Sequence, residues 1–282
     1  PPPHPPPPPH HPPPAPTRPQ RQNAPNLHDS HPTLRASSHH GRYTKKDAIE
    51  AQRFLIKAIE IDPNNSEAFC LLAFTHLMQV QFGWSEFREK SIEEAGITAQ
   101  KAIEIDDRDA WAHTALGLVD LISKRYHDAV CRLEKAIDLN PNLANAYGAL
   151  GQALSLAGEY KSATTQINKA IRLSPHDPFV VYWLGHLGIA SFVEERYKDA
   201  CYWGQKAIQQ NPMFPGGYRL VAASCGQLGR IQEAAKELRK LLQLMPGMTA
   251  DDVRKQVPFK KSSDMERYID GLRKAGLEKL VS

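Results

Sequence analysis

A spacing that recurs every 34 residues constrains this chain more than any other feature of its sequence. A small residue is followed by Ala twelve positions on, by Ala seven further, and by Pro five further. The set runs Gly117, Ala129, Ala136, Pro141, then Gly151, Ala163, Ala170, Pro175, then Gly188, Ala200, Ala207, Pro212, and in looser form Ala222, Ala234, Leu241, Pro246. A fixed period of this length marks stacked structural repeats.

Small residues at those spacings let two antiparallel helices approach closely, because a large side chain at a crossing point holds backbones apart. Proline then ends the second helix, since it lacks an N–H and disfavours helical geometry in the residue before it. Between Ala144 and Pro175, Tyr147, Leu150, Gly151 and Leu154 lie at i, i+3, i+4 and i+7, one stripe of a helix, and Ala163, Ile167 and Ala170 form the stripe of a second. Each period therefore reads as a helical hairpin.

These residues resemble the tetratricopeptide repeat, a helix-turn-helix unit of this length. Leu116-Gly117, Leu150-Gly151 and Leu187-Gly188 supply its signature pair, and the aromatic before the mid-unit turn recurs as Tyr126, Tyr160 and Tyr197. The resemblance implies an all-α solenoid, a right-handed superhelix of about five to six hairpins.

The period also loosens in places. Ala73, Ala95, Ala102 and Asp107 form a unit with ten residues inserted around Phe82-Gly83-Trp84, read as an enlarged hairpin turn. Three residues are added between Pro175 and Gly188, including Pro178, and are expected to lengthen the connection. Ala51, Ala58 and Pro63 mark a second helix whose partner, between about Leu34 and Tyr43, lacks an apolar stripe.

Composition divides the chain near residue 41. Fifteen of the 23 prolines and seven of the 12 histidines fall in the first 40 residues, among almost no large aliphatic side chains. Such a segment cannot offset its ordering entropy by apolar burial and is expected to be disordered. Its composition, the truncated first hairpin and the missing initiator Met give the expectation of a fragment lacking upstream sequence. The expected organisation is a disordered Pro/His-rich segment at 1–41, the solenoid at 42–247 and a C-terminal helical cap at 248–282. In the cap, Thr249 with Asp252 and Ser263 with Glu266 read as capping boxes, and Gly276 as a stop.

The function classes narrow by what the sequence carries. The net charge of +4 is small and dispersed, which disfavours nucleic acid as the main partner. The longest apolar stretch, Val180 to Val193, is shorter than the roughly 20 residues a membrane span needs. Cys70, Cys131, Cys201 and Cys225 form no C-x-x-C pair and lie on predicted helices, the usage of a reducing, cytoplasmic compartment. No phosphate loop, nucleophile elbow or zinc helix occurs, so no catalytic residue, cofactor or metal is assigned. Gly226-Gln-Leu-Gly229 reads as the turn of the last hairpin. Asp106, Asp107 and Asp109 read as helix capping, and His113, His127 and His186 as separate solvated or satisfied side chains.

In the resembling family the first helix of each hairpin lines a concave groove that takes an extended protein or peptide segment. Its lining phases fall here on Trp111, Thr114, Leu118 and Leu121, then Asn145, Gly148, Gln152 and Ser155, then Tyr182, Gly185, Ile189 and Phe192. The groove is apolar and aromatic, without the Lys, Asn and Arg set that clamps chaperone tails. Trp111, Tyr182 and Phe192 are the expected anchors of a partner, since aromatics dominate binding hot spots.

A second resemblance is carried by Phe214-Pro-Gly-Gly-Tyr-Arg, by Ala222 to Arg230, by Val253-Arg-Lys-Gln-Val-Pro-Phe-Lys, and by Asp264 to Gly276. With Thr44 to Ala51, the Phe82-Gly-Trp-Ser insertion and the run from Lys101 to Asp107, these are similar to the tetratricopeptide tails of bacterial class III adenylate cyclases of rhizobial type, over about residues 41 to 277. The resemblance implies a regulatory or scaffolding tail whose cyclase domain, with its paired metal-binding aspartates, is not in this chain. Related tails follow winged-helix domains of transcription regulators, which leaves two parents open.

Overall fold

The computed structural model describes residues 32–33, 36 and 44–278. Among the described residues no strand occurs, and thirteen helices with defined ends follow one another. Helix α1 (Lys45–Ile61) precedes five hairpins: α2 (Ser66–Gln81) with α3 (Arg88–Ile105), α4 (Ala110–Ile122) with α5 (Tyr126–Leu139), α6 (Ala144–Ala157) with α7 (Tyr160–Leu173), α8 (Val180–Val193) with α9 (Tyr197–Gln210), and α10 (Pro215–Gln227) with α11 (Ile231–Leu244). Two further helices follow, α12 (Ala250–Gln256) and α13 (Ser262–Lys274). The disorder expected of residues 1–41 lies outside the described residues, apart from Pro32, Thr33 and Ala36. Ala36 is buried in one cluster with Ala51, Leu55 and Leu72.

The sequence signature is the crossing point of each hairpin. A Cβ placed on Gly117, Gly151 or Gly188 would lie 3.4, 3.1 or 3.3 Å from the carbonyl oxygen of Ala129, Ala163 or Ala200, its Ala partner in the second helix. Those alanines are fully buried, as are Leu133 and Ile167 one turn further along the same helices. Each second helix ends two residues before its proline, and the residue before that proline has left helical geometry, with φ −142° at Asn140, −145° at Ser174 and −144° at Asn211. Asp106 adopts the same geometry, φ −139°, where Asp107 occupies the proline position. Within the hairpins, the turn repeats a left-handed residue in phase: Lys124, Gly158, Glu195 and Gly229.

Ten inserted residues enlarge the first hairpin mostly through its helices. Compared with α4 and α5, of 13 and 14 residues, α2 has 16 and α3 has 18, so only three of the ten widen the turn at 82–87. Lengthening α2 has a long-range effect. Phe82, at its C-terminal end, reaches across the superhelix to Tyr182 and Phe214, with ring centroids 5.9 and 6.1 Å away, and Phe74 meets Phe179 at 6.0 Å. The first described hairpin thus touches the third and fourth after it in sequence, and the solenoid curls tightly around an aromatic centre.

The C-terminal residues form two helices, as the capping signals indicate, with differences in detail. Thr249 and Asp252 make a complete capping box for α12. Helix α13 begins at Ser262 with Lys261 as its N-cap and no side-chain cap, so Ser263 and Glu266 do not form the second box. Gly276, at φ 102°, stops α13, and Leu277 N–H bonds back to Leu272 C=O at 3.1 Å. The segment does not sit on the open end of the last repeat. It turns inward over the concave side, and α13 packs principally on α10.

Candidate functional site

The concave face is built from the first helices of the hairpins, and the chain's own C-terminal segment lies in it. Gly226 and Ala223 occupy in α10 the inward phases of Leu121 and Leu118 in α4. A Cβ on Gly271 of α13 would overlap the Ala223 carbonyl, and one on Gly226 would overlap that of Gly271, so the two backbones are in direct contact. Gly226 is therefore a helical docking residue, and the hairpin turn falls at Gly229, φ 73°. Tyr268 of α13, fully buried, packs edge to face on Phe192 of α8.

From the last turn of α12 to the start of α13 the chain is bonded to the solenoid through its backbone. Lys260 N–H donates to Leu156 C=O at 2.9 Å, Tyr126 Oη–H to Pro258 C=O at 3.1 Å, and Arg88 Nη2 to Lys255 C=O at 2.7 Å. Arg219 Nη1 donates to Gln256 Oε1 at 2.6 Å. Arg267 secures the next turn on Val193 C=O, Glu195 and Asp264. Val257, Pro258 and Phe259 are buried.

The residues expected to line the groove occupy this region in different states. Thr114, Leu118, Leu121, Asn145, Ser155, Tyr182, Ile189 and Phe192 are buried, and Gln152 is half-buried. Gly148 lies against Trp183, and Gly185 faces Phe214. Trp111 stands apart at 40% exposed, edge to face with Phe74 at 5.6 Å. Of the three aromatics expected as anchors, only Trp111 is open to solvent as the chain stands.

A cavity of about 80 Å³ remains between groove and segment, bordered by Gln152, Tyr182, His186 and Ile189 on the inner helices and by Gln256 and Tyr268 on the segment. Arg88 and Arg219 also line it, and its wall contains no carboxylate. The Ser155 hydroxyl lies within hydrogen-bond distance of Gln152 C=O, at 2.8 Å, and of His186 Nδ1, at 2.9 Å. Burial, and secondarily Arg219, push His186 down to about 3. Burial pushes the Tyr268 phenol up to about 12.

The remaining polar clusters have structural partners. Asp109 accepts from the backbone of Trp111 and Ala112, and Asp106 from that of Arg108. His113 meets Asp107 C=O, and His127 lies 3.8 Å from Cys131 Sγ. Among the described residues no helix is long and apolar enough to cross a membrane. Sequence reasoning missed Arg88, Arg219, Gln256 and Tyr268. Arg219 sits at the phase of Thr114 and was accessible by extending the register one unit; Arg88 lies in the insertion, where the register is lost.

A solenoid of helical hairpins with an occupied concave face defines the class of this molecule. The tetratricopeptide repeat model matches residues 54–86 and 133–165, so the chain carries tetratricopeptide repeats there. Solved structures of similar fold include Cut9-Hcn1, an APC/C hetero-tetramer, at TM-score 0.60 and 16% identity over 88% of this chain and 45% of that one. A thermophilic TPR protein of Thermus thermophilus, TTC0263, aligns at TM-score 0.52 and 19% identity over 71% and 98%. PilW, a widely conserved type IV pilus biogenesis factor, aligns at 0.51 and 16% over 71% and 88%. Curated protein sequences give no match to this chain.

Proposed function

We propose that this chain is a non-enzymatic protein-interaction scaffold whose concave face takes an extended partner segment in competition with its own C-terminal residues. The observation that supports this reading is that the non-helical residues after α12 find backbone partners on the solenoid, Lys260 N–H on Leu156 C=O and Pro258 C=O on the Tyr126 hydroxyl. The segment covers Phe192 through Tyr268, and Phe192 becomes available to a partner when the segment leaves, whereas Tyr182 is packed among Phe82, Phe179 and Phe214 of the solenoid itself; Trp111 is available at all times. Cut9, whose fold is similar, occurs in a hetero-tetramer with Hcn1, a precedent for a protein partner on this fold.

The finer reading is that of a regulatory tail in a larger bacterial signalling protein of the cytoplasm. The stretches Phe214 to Arg219, Val253 to Lys260 and Asp264 to Gly276 support a cyclase parent; a winged-helix regulator is the second parent they fit. On this reading the purified chain makes no cyclic AMP from ATP with Mg²⁺ or Mn²⁺, and measurable turnover overturns it.

Competition for the groove is tested with full-length Gly271→Leu and Gly226→Val, which force α13 away from α10, and a fluorescein-labelled peptide of residues 246–262. Both variants should bind the peptide at least tenfold more tightly than the wild-type chain in fluorescence anisotropy, with helical circular dichroism retained. Folded variants that fail to bind it remove the groove as a segment-binding surface.

A further inference from the structure

The cavity under the C-terminal segment has a charge problem that the protein's own groups leave unsolved. Arg88 and Arg219 both line it, and no Asp or Glu does. Arg219 makes no ion pair among the described residues; its guanidinium is bonded to the neutral Gln256 and also meets the neutral Tyr268 phenol. Arg88 is bonded to the neutral Lys255 carbonyl, and its nearest carboxylate, Glu89, lies 3.9 Å away and is 80% exposed. In both arginines the Nε–H is buried without a hydrogen-bond partner. His186 beside them is held neutral by burial and by Arg219, so it adds no charge, but neither does it offset one.

Both arginines are half-buried, and each leaves its Nε–H, itself buried, as an unmet donor, a cost of about 1–3 kcal/mol that a bound acceptor would remove. Both arginines line the same cavity and each is bonded to one of two adjacent residues, Arg88 to the Lys255 carbonyl and Arg219 to the Gln256 side chain. The opposite character is present as well, in Ile122, Leu156, Ile189 and Phe214. A volume of about 80 Å³ holds about six waters, or one small organic molecule.

We propose that this cavity binds a small organic carboxylate, its anionic end on Arg88 and Arg219 and its short apolar body against Ile189 and Phe214. Planar carboxylates match the forked donors of guanidinium, and the apolar wall favours an acid with a hydrocarbon end over a bare inorganic anion. The bound acid touches both the solenoid and the segment and ties one to the other. The site is independent of whether the groove ever receives a partner protein.

The test uses the full chain with isovalerate as probe and inorganic phosphate as comparison, read by calorimetric titration and thermal melting. Isovalerate should bind saturably and raise Tm, with Arg88→Gln and Arg219→Gln each weakening it at least tenfold and phosphate binding more weakly than isovalerate. Gln256→Glu supplies a built-in carboxylate to Arg219 in place of the ligand. It should raise Tm by about 2–4 °C without any acid present and abolish the response to isovalerate. A Gln256→Glu chain with unchanged or lowered Tm overturns the proposal even where the arginine variants fail to fold. Isovalerate binding that survives Arg219→Gln overturns it too, as does phosphate binding as tight as that of isovalerate.

Discussion

Tyr268 lies edge to face on Phe192 with ring centroids 5.0 Å apart, so the last described helix covers the inner surface of α8. Both rings are fully buried, and Phe259 adds a third at 5.5 Å from Tyr268. Removing an aromatic ring from such a site costs about 3–5 kcal/mol. In Tyr268→Ala that loss falls on the attachment of α13, because the hairpins have their own crossing points at Gly117, Gly151 and Gly188. Trypsin should therefore cut after Lys260 or Lys261 at least tenfold faster in Tyr268→Ala than in the wild-type chain, while cleavage between residues 110 and 210 stays slow. Uniformly accelerated cleavage would show that α13 is part of one cooperative core.

The hairpins were legible because each is specified locally. Gly151, Ala163, Ala170 and Pro175 lie within 25 positions of one another, and the crossing of α6 and α7 needs nothing beyond them. The total length of the insertion was legible from the same spacing, though not its division between helix and turn, since residues 78–92 have no anchors in phase. What the sequence concealed is long-range. Phe82 meeting Phe214 is a consequence of how far the hairpins curl, a sum of small rotations that no single unit encodes, and Gly226 meeting Gly271 depends on where α13 lands on α10. For the same reason Gly226 read as a turn glycine, when its missing side chain is needed for helix packing.

Asp120 is 3% exposed at its side chain and ties α4 to α5 within one hairpin. Its carboxylate accepts Arg125 Nη2 at 2.6 Å and Arg132 Nε at 2.7 Å. The arginines are 50% and 39% exposed, so on loss of Asp120 they return to water and leave no stranded charge. Asp120→Ala should thus cost less than a fully buried pair, about 1–2 kcal/mol in urea unfolding. Asp120→Asn should recover part of it. A loss beyond about 4 kcal/mol would mean that the arginines are far drier in solution than their exposure indicates.

Four cysteines differ sharply in access. Cys131 is exposed, whereas Cys70, Cys201 and Cys225 are buried. Burial holds the Cys70 thiol well above its usual range, and the 3.4 Å contact with Cys225, followed by burial, raises that of Cys201. Only the thiolate reacts with aromatic disulfides. A native chain should release one fast equivalent of thionitrobenzoate and the denatured chain four, with the fast phase absent in Cys131→Ser. Two or more fast equivalents would show that a helix bearing a buried thiol opens readily.

His186 makes stability depend on pH with a sign that can be worked out. Unfolded, it titrates near 6.5; folded, burial and then Arg219 hold it at about 3. Between those values the unfolded chain binds a proton that the folded chain does not, so acid favours unfolding. Stability is fully present above about pH 6.5 and falls on acidification by up to about 1.4 kcal/mol per pH unit. His76, lowered chiefly by burial, acts in the same direction. The carboxylates held low by their partners, Asp252 and Asp270, lose their contribution only nearer their ordinary value of 3.8, so the interval from about pH 6 to pH 5 belongs to the histidines. Urea unfolding across that interval should be markedly flatter in His186→Gln, whose amide can keep the Ser155 bond without a titrating group. An unchanged slope in that variant would show that His186 is as easily protonated in the folded chain as in the unfolded one, and that the cavity it borders is open to water.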